Sequence, residues 1–320
     1  MSEFDLIARY FTRPARPASQ VLLGVGDDCA LLQPSALQQA ISTDMLVEGR
    51  HFFAGAEPRQ LGHKCLAVNL SDLAAMGARP VGFTLALALP AIDDTWLQGF
   101  SEGLFALADR YDCALIGGDT TRGPLTICIT VFGEVDAAKA LRRDAAQVGD
   151  DIWVSGALGE ARLALAHRCG ELTIDANTLQ AAAHRMDAPT PRVELGQALI
   201  GVAHAAIDIS DGLAGDLGHI LARSKCGARC DLRRLPIGPA LAAQPTTLQH
   251  EFGASGGDDY EVCFTAPIDR RDAVLAAANK VGVAVTRIGS IEGNAGLRWQ
   301  TADGLPLDKP FSSFDHFKKS

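Results

Sequence analysis

The sequence is short of positive charge. Its 29 Lys and Arg stand against 38 Asp and Glu, a formal net charge of −9. That balance argues against broad electrostatic attraction to nucleic acid or to an anionic membrane surface. No apolar run approaches the roughly 18 residues that a membrane-spanning helix needs. The opening stretch MSEFDLIARYFTRP is mixed in polarity and lacks the apolar core of a signal peptide, so a cytoplasmic location is expected. No G-x-x-x-x-G-K-[ST] sequence occurs, which excludes a Walker-type nucleotide site, and no protein-kinase H-R-D and D-F-G pair occurs either. GALGEA (156–161) resembles a dinucleotide fingerprint only loosely, because the full spacing fails. A zinc pattern is missing too. Of eight cysteines, Cys226 and Cys230 come nearest to a pair, and no second pair completes a site. The cysteines sit among apolar neighbours (CLAVNL, TICIT, EVCFT), as reduced, buried thiols do.

What is present is an alternation of short β-rich and helical runs. VLLGV (21–25), GFTLALAL (82–89) and LTICITVFGEV (125–135) read as strands, being short, apolar and bounded by Gly or Pro. PRQLGHKCLAVNLSDLAAMGARP reads as a helix ending at Gly77, with Pro80 blocking its continuation. DDTWLQGFSEGLFALADRYD reads as a second helix opened by a capping aspartate. The pattern restarts in AAQVGDDIWVSGALGEARLALAHRCG, and later strands are expected at AAIDI (205–209), YEVCFTA (260–266) and VAVTRIGSI (283–291). The expected class is α+β in two domains, 1–148 and 149–320.

Acids beside Gly, Ser or Thr recur at the ends of expected strands. They are GDD (Asp27, Asp28), STD (Asp44), NLSD (Asp72), GGDTT (Asp119), DISDG (Asp208, Asp211) and GGDDYE (Asp258, Asp259, Glu261). Asn69 and Asp72 are three apart, so on a helix they share a face. A single such aspartate is normally a turn former or helix cap. Six clusters weaken that reading. Two like charges 4 Å apart repel by about 4 kcal/mol at an effective dielectric near 20, so gathered acids need cations. Oxygen-only donors with hydroxyl neighbours favour magnesium, which keeps waters and is shared with phosphates. In GVGDDCALL the acids would then hold the metal and the metal the phosphate, in place of a phosphate-binding lysine.

The motifs GDDCA, STDMLVEGRHF, NLSDLAAMGARP, LIGGDTTRG, AIDISDGL, SGGDDYEVCF and the terminal FDHF, in that order, resemble the thiamine-monophosphate kinase family of the aminoimidazole ribonucleotide synthetase-like ATP-binding superfamily. The resemblance covers nearly the whole chain. It implies an N-terminal β-sheet domain that forms a barrel-like interface in a homodimer, and a C-terminal α/β domain covering the nucleotide. It implies ATP-dependent phosphorylation of thiamine monophosphate to thiamine diphosphate, with several magnesium ions. Carried over by position, Asp27, Ser42, Thr43, Asp44, Asp72, Asp119, Asp208 and Asp211 match magnesium ligands, with Asp28 secondary because adjacent residues of an extended stretch point to opposite sides. Gly118, Asp119, Arg143 and Ser210 match nucleotide contacts. His51, Asp258 and Phe314 match thiamine monophosphate contacts. Where the family usually has GGEDYE, this chain has Asp258, one methylene shorter.

The implied chemistry is direct in-line transfer, because phosphoryl transfer is mostly positioning and charge stabilisation. Arg143 would offer a planar fork to phosphate oxygens. Two other readings stay open on the residues alone: another ATP-using superfamily member such as selenophosphate synthetase, and a non-catalytic nucleotide- or divalent-ion-binding protein. Against the former, the segment before VLLGVGDD lacks a cysteine or lysine-rich reactive loop.

Overall fold

A computed structural model describes residues 3–13, 20–26, 29–300 and 311. The chain divides into two compact units, Met1–Leu73 with Ala78–Ala138, and Ala74–Gly77 with Lys139–Ser320.

The first unit contains, in chain order, α1 (Glu3–Leu6), β1 (Val21–Leu23), β2 (Leu31–Leu32), β3 (Gln38–Val47), α2 (Pro58–Ala75), β4 (Arg79–Leu89), α3 (Asp94–Arg110), β5 (Ala114–Arg122) and β6 (Thr126–Val135). Its main sheet runs β3-β6-β4-β5. The β3–β6 and β6–β4 pairs are antiparallel and β4–β5 is parallel. Period-two alternation buries Phe83, Leu85 and Leu87 of β4 with Ile127, Ile129 and Val131 of β6 on one face. From Leu61 on, α2 is enclosed almost all round, with polar Lys64, Asn69 and Ser71 buried among its apolar residues. It crosses α3 at backbone contact: a Cβ on Gly62 would stand 2.0 Å from the Phe100 carbonyl oxygen, and one on Gly103 1.8 Å from that of Arg59. Asp93 caps α3 by accepting the Thr95 and Trp96 N–H groups at 2.9 and 3.1 Å. Gly77, at φ +69°, ends the α2 segment.

The expectation that the acids stand at strand ends is corrected here. Asp44 and Asp119 lie inside β3 and β5. Both are edge strands of the sheet, where polar residues and glycine cost less than in a central strand.

The second unit contains β7 (Asp151–Ser155), α4 (Glu160–Arg168), α5 (Ala176–Asp187), α6 (Val193–Ala198), β8 (Ala205–Asp208), α7 (Leu213–Ser224), β9 (Gly227–Asp231), α8 (Pro239–Ala242), α9 (Thr246–Ser255), β10 (Val262–Ala266), α10 (Arg271–Lys280), β11 (Val285–Glu292) and β12 (Gly296–Gln300). The sheet order is β12-β9-β11-β7-β10-β8. All neighbours are antiparallel except β12 and β9. Helices cover both faces. Ile152 and Val154 pack with Leu213, Leu217 and Ile220 of α7 on one side. Trp153 and Phe264 pack with Leu195 of α6 and Val274 of α10 on the other. That is why β7, β8 and β10 read as continuous apolar runs rather than alternating ones. Among the described residues no helix is long and apolar enough to cross a membrane.

Candidate active site

In the first unit the acids are organised around edge strand β3 and the helix behind it. Asn69, fully buried on α2, donates from Nδ2 to the Cys65 carbonyl at 2.9 Å and accepts the Asp44 backbone N–H on Oδ1 at 3.1 Å. One helical turn on, Asp72 accepts the Ser42 hydroxyl at 2.5 Å. Asn69 and Asp72 therefore act as a pair, one fixing the strand backbone and the other engaging its side chain. Asp44 and Asp72 are both half-buried. Thr43 is exposed, its Oγ1 2.8 Å from Thr130 Oγ1. Burial, and after it the Asp44 charge, pushes the neighbouring Cys128 thiol up.

Across the sheet, Gly118 pairs with Leu85 and Asp119 with Ala86. At Gly118 the backbone φ is +151°, and a Cβ would lie 1.9 Å from the Leu85 carbonyl oxygen. Only glycine fits between these strands. Asp119 is exposed beside it.

His51 sits in the turn after β3. Its backbone N–H donates to the Val47 carbonyl at 3.0 Å, and its Nδ1 accepts the Val47 N–H at 3.0 Å. An acceptor Nδ1 requires the neutral ring to carry its proton on Nε2. Asp27, Asp28 and Phe314 lie outside the described residues.

In the second unit, Asp208 ends β8 and is buried, while Ser210 and Asp211 follow it half-buried. Both of their N–H groups donate to one oxygen of Asp216, Oδ2, each at 3.1 Å. Burial, and then the Asp211 charge, pushes the Asp216 carboxyl up to about 7. Arg143 is exposed, and its carbonyl accepts the Ser224 hydroxyl at 2.9 Å.

The GGDDYE segment divides three acids among three tasks. Asp258, at φ +66°, donates its N–H to the Ser210 carbonyl at 2.8 Å and accepts the Tyr260 hydroxyl at 3.1 Å. Asp259 is enclosed, and both its oxygens accept the Gly159 N–H at 2.9 and 3.0 Å. Burial drives its carboxyl well above the usual range. Glu261, inside the unit, accepts the Arg192 guanidinium on both oxygens and the Ser155 hydroxyl at 2.6 Å. Asp258 is the least enclosed of the three acids.

Residue patterns alone missed Asp216 and the Arg192 partner of Glu261. Asp216 left a trace: it falls on the apolar stripe Leu213, Leu217, Ile220 of α7, where an acid is out of place. Arg192 left none. Among the described residues, no three His, Cys, Asp or Glu side chains gather closely enough to hold a metal ion by themselves.

Residues 26–135 match the family AIR synthase related protein, N-terminal domain, and residues 147–300 match the corresponding C-terminal domain. The chain is 46% identical to the thiamine-monophosphate kinase of Haemophilus influenzae over 100% of its own length and 99% of that protein's. It is 47% identical to that of Escherichia coli K12 over 98% of each. Among solved structures, the thiamine-monophosphate kinase of Stenotrophomonas maltophilia K279a superposes with a TM-score of 0.85 at 48% identity, covering 91% of this chain and 93% of that one. AaThiL complexed with AMPPCP and TMP superposes at 0.77 with 28% identity, covering 92% of each chain.

Proposed function

The chain belongs to the AIR synthase related proteins and, within them, to the thiamine-monophosphate kinases, and from that premise we propose how its residues share the work. The reaction is ATP-dependent phosphorylation of thiamine monophosphate to thiamine diphosphate, a step of thiamine biosynthesis. The observation that carries this reading is the similarity to thiamine-monophosphate kinases over 98 to 100% of the chain.

The nucleophile is a phosphate oxygen of the substrate. A phosphate monoester has its second pKa near 6 and is largely dianionic at pH 7, so no strong general base is needed. Transfer then proceeds directly and in line, and the chain's task is to position two polyanions. The donor set fits magnesium, because Asp44, Asp72, Asp119, Asp208 and Asp211, with Ser42 and Thr43, offer only hard oxygen ligands; Asp27 belongs to the same set and Asp28 is secondary. Magnesium, when bound, neutralises phosphate charge and orients the oxygens that react. Asn69 holds the strand backbone at Asp44, and the Ser42 hydroxyl orients Asp72. Gly118, Asp119, Arg143 and Ser210 serve the nucleotide. Arg143 offers two parallel N–H donors to phosphate, and the bare Gly118 lets backbone come close. His51 presents Nε2–H as a donor, Asp258 faces the cationic thiazolium, and Phe314 offers it an aromatic face.

The reading extends to a homodimer in the cytoplasm. On the sheet face opposite the core, Ile41 and Met45 are more than half exposed, an apolar surface suited to a second copy. The eight cysteines form no disulfide among the described residues, which is compatible with a reducing compartment. Light scattering should give twice the chain mass, and Ile41→Glu with Met45→Glu should halve it; a monomer at the outset refutes the interface.

Incubation with ATP and magnesium should release ADP with thiamine monophosphate and not with formylglycinamidine ribonucleotide or selenide. Release with either of the latter two alone would overturn the assignment.

A further inference from the structure

The reading above gives Asp208 and Asp211 to the metal but leaves open what holds their loop in shape. From Asp208 the β8–β10 ladder continues without side-chain help. Ile209 N–H donates to the Glu261 carbonyl, Tyr260 N–H to the Ile209 carbonyl and Asp258 N–H to the Ser210 carbonyl, each at 2.8 Å. The opposite edge of the loop has the Ser210 and Asp211 N–H groups, and both go to Asp216 Oδ2. Gly212, at φ +108°, then turns the chain into α7.

Asp216 is 3% exposed and stands among Leu213, Leu217 and Ile220. A carboxyl on that stripe carries a desolvation cost that an apolar side chain would avoid. Nor is it spent on capping its own helix, whose Gly215 and Asp216 N–H groups already donate to the Gly212 carbonyl at 3.0 Å. Its bonds to the Asp211 and Ser210 amides reach back five and six residues, outside the helix. We infer that Asp216 is a positioning residue for the metal-binding loop: by gathering the Ser210 and Asp211 amides on one oxygen, it sets the direction in which the Asp211 carboxylate leaves the backbone. The inference rests on Asp211 being a metal ligand. It also joins the loop to the substrate side, since the Ser210–Asp211 peptide donates its N–H to Asp216 and accepts the Asp258 N–H on its C=O.

The test compares Asp216→Ala, Asp216→Asn and Asp211→Asn in the full-length protein. Amide hydrogen exchange at Ser210 and Asp211 is read without metal, and magnesium affinity is read by calorimetry with AMPPCP present. Losing one acceptor shared by two amides should weaken magnesium binding about tenfold in Asp216→Ala and abolish protection of both amides. Asp216→Asn keeps an acceptor oxygen, so its protection should persist and its magnesium affinity should stay within about threefold, as a bond differing by under 1 kcal/mol allows. Asp211→Asn should weaken magnesium while leaving the amides protected. Unchanged magnesium affinity in Asp216→Ala beside a weakened Asp211→Asn overturns the positioning role. Equal loss in Asp216→Ala and Asp216→Asn also overturns it, because charge and not the acceptor would then matter. No change in Asp211→Asn overturns the ligand assignment beneath it. If Asp216→Ala does not fold, Asp216→Leu, which extends the apolar stripe, replaces it with the same outcomes.

Discussion

Replacing Glu261 by glutamine removes a charge and reverses one hydrogen-bonding polarity at the most enclosed acid of GGDDYE. The glutamate side chain is 1% exposed and that of Arg192 is 13%. Glu261 Oε2 accepts both the Ser155 hydroxyl and Arg192 Nε at 2.6 Å, while Oε1 accepts Arg192 Nη2. The Ser155 oxygen accepts the Val262 N–H at 2.8 Å and its one hydrogen points to Glu261. A glutamine amide nitrogen must occupy one of the two oxygen positions. At the first it faces an O–H and an N–H, at the second another N–H, so two donors collide either way. The guanidinium meanwhile loses its counter-charge, with Arg185 also 3.6 Å from the same carboxylate. Breaking a buried pair on one side costs about 3–5 kcal/mol. Because Arg185 keeps a third of its side chain in solvent, the lower half of that range, about 3–4 kcal/mol, is expected. Urea unfolding of wild type and Glu261→Gln at pH 7.5 measures it. The double variant Glu261→Leu, Arg192→Leu should recover part of the loss, because it removes both members of the closest pair while Arg185 keeps Glu160 at 3.7 Å; the Ser155 hydroxyl still loses its acceptor. A loss below about 1 kcal/mol in Glu261→Gln, the value of an exposed pair, would refute the reasoning.

Gly118→Ala should cost about 2–5 kcal/mol from backbone strain and overpacking together and should lower ATP affinity more than thiamine monophosphate affinity; a stable variant with normal nucleotide binding would remove the close-approach argument. At His51, Asn can replace the Nδ1 acceptor but not the Nε2 donor, and Gln the reverse. His51→Asn should therefore keep its melting temperature and raise the KM for thiamine monophosphate, while His51→Gln should lose stability first; ring-nitrogen NMR showing the proton on Nδ1 would contradict both. Burial pushes the Asp151 carboxyl up, but hydrogen bonds from Arg271 and Arg287 outweigh it, and the net shift is below the ordinary value of 3.8. A depressed acid adds stability that is present above 3.8 and disappears as pH falls through its folded value. Asp151→Asn should thus cost about 2 kcal/mol at pH 7, discounted because both arginines are more than a third exposed, and progressively less as pH falls below 3.8; a deficit that does not shrink in acid would exclude the ion pair as its source.

Sequence periodicity carries local structure because it reflects local causes. The alternation in GFTLALAL and TICITVF is the pleat of β4 and β6, and Asp93 and Gly77 mark helix limits through backbone geometry that one residue dictates. The ordered motifs, read as whole words, were enough to reach the family. Strand limits around Asp44 and Asp119 were not legible, because STD and GGD look like turns until the chain places them at the rim of a sheet.

The sequence by itself determined the class of chemistry: many oxygen donors, no phosphate-binding lysine motif, and acids set among small residues. Only the tertiary structure decided which acid does what. Asp258, Asp259 and Glu261 are nearly interchangeable as letters. They separate because Gly159 lies 100 residues from Asp259, Arg192 69 from Glu261 and Ser155 106 from it, and each arrives only when the sheet closes. A carboxylate's role is set by which donors surround it and how much water they displace, and those are contacts made across the fold rather than along the chain.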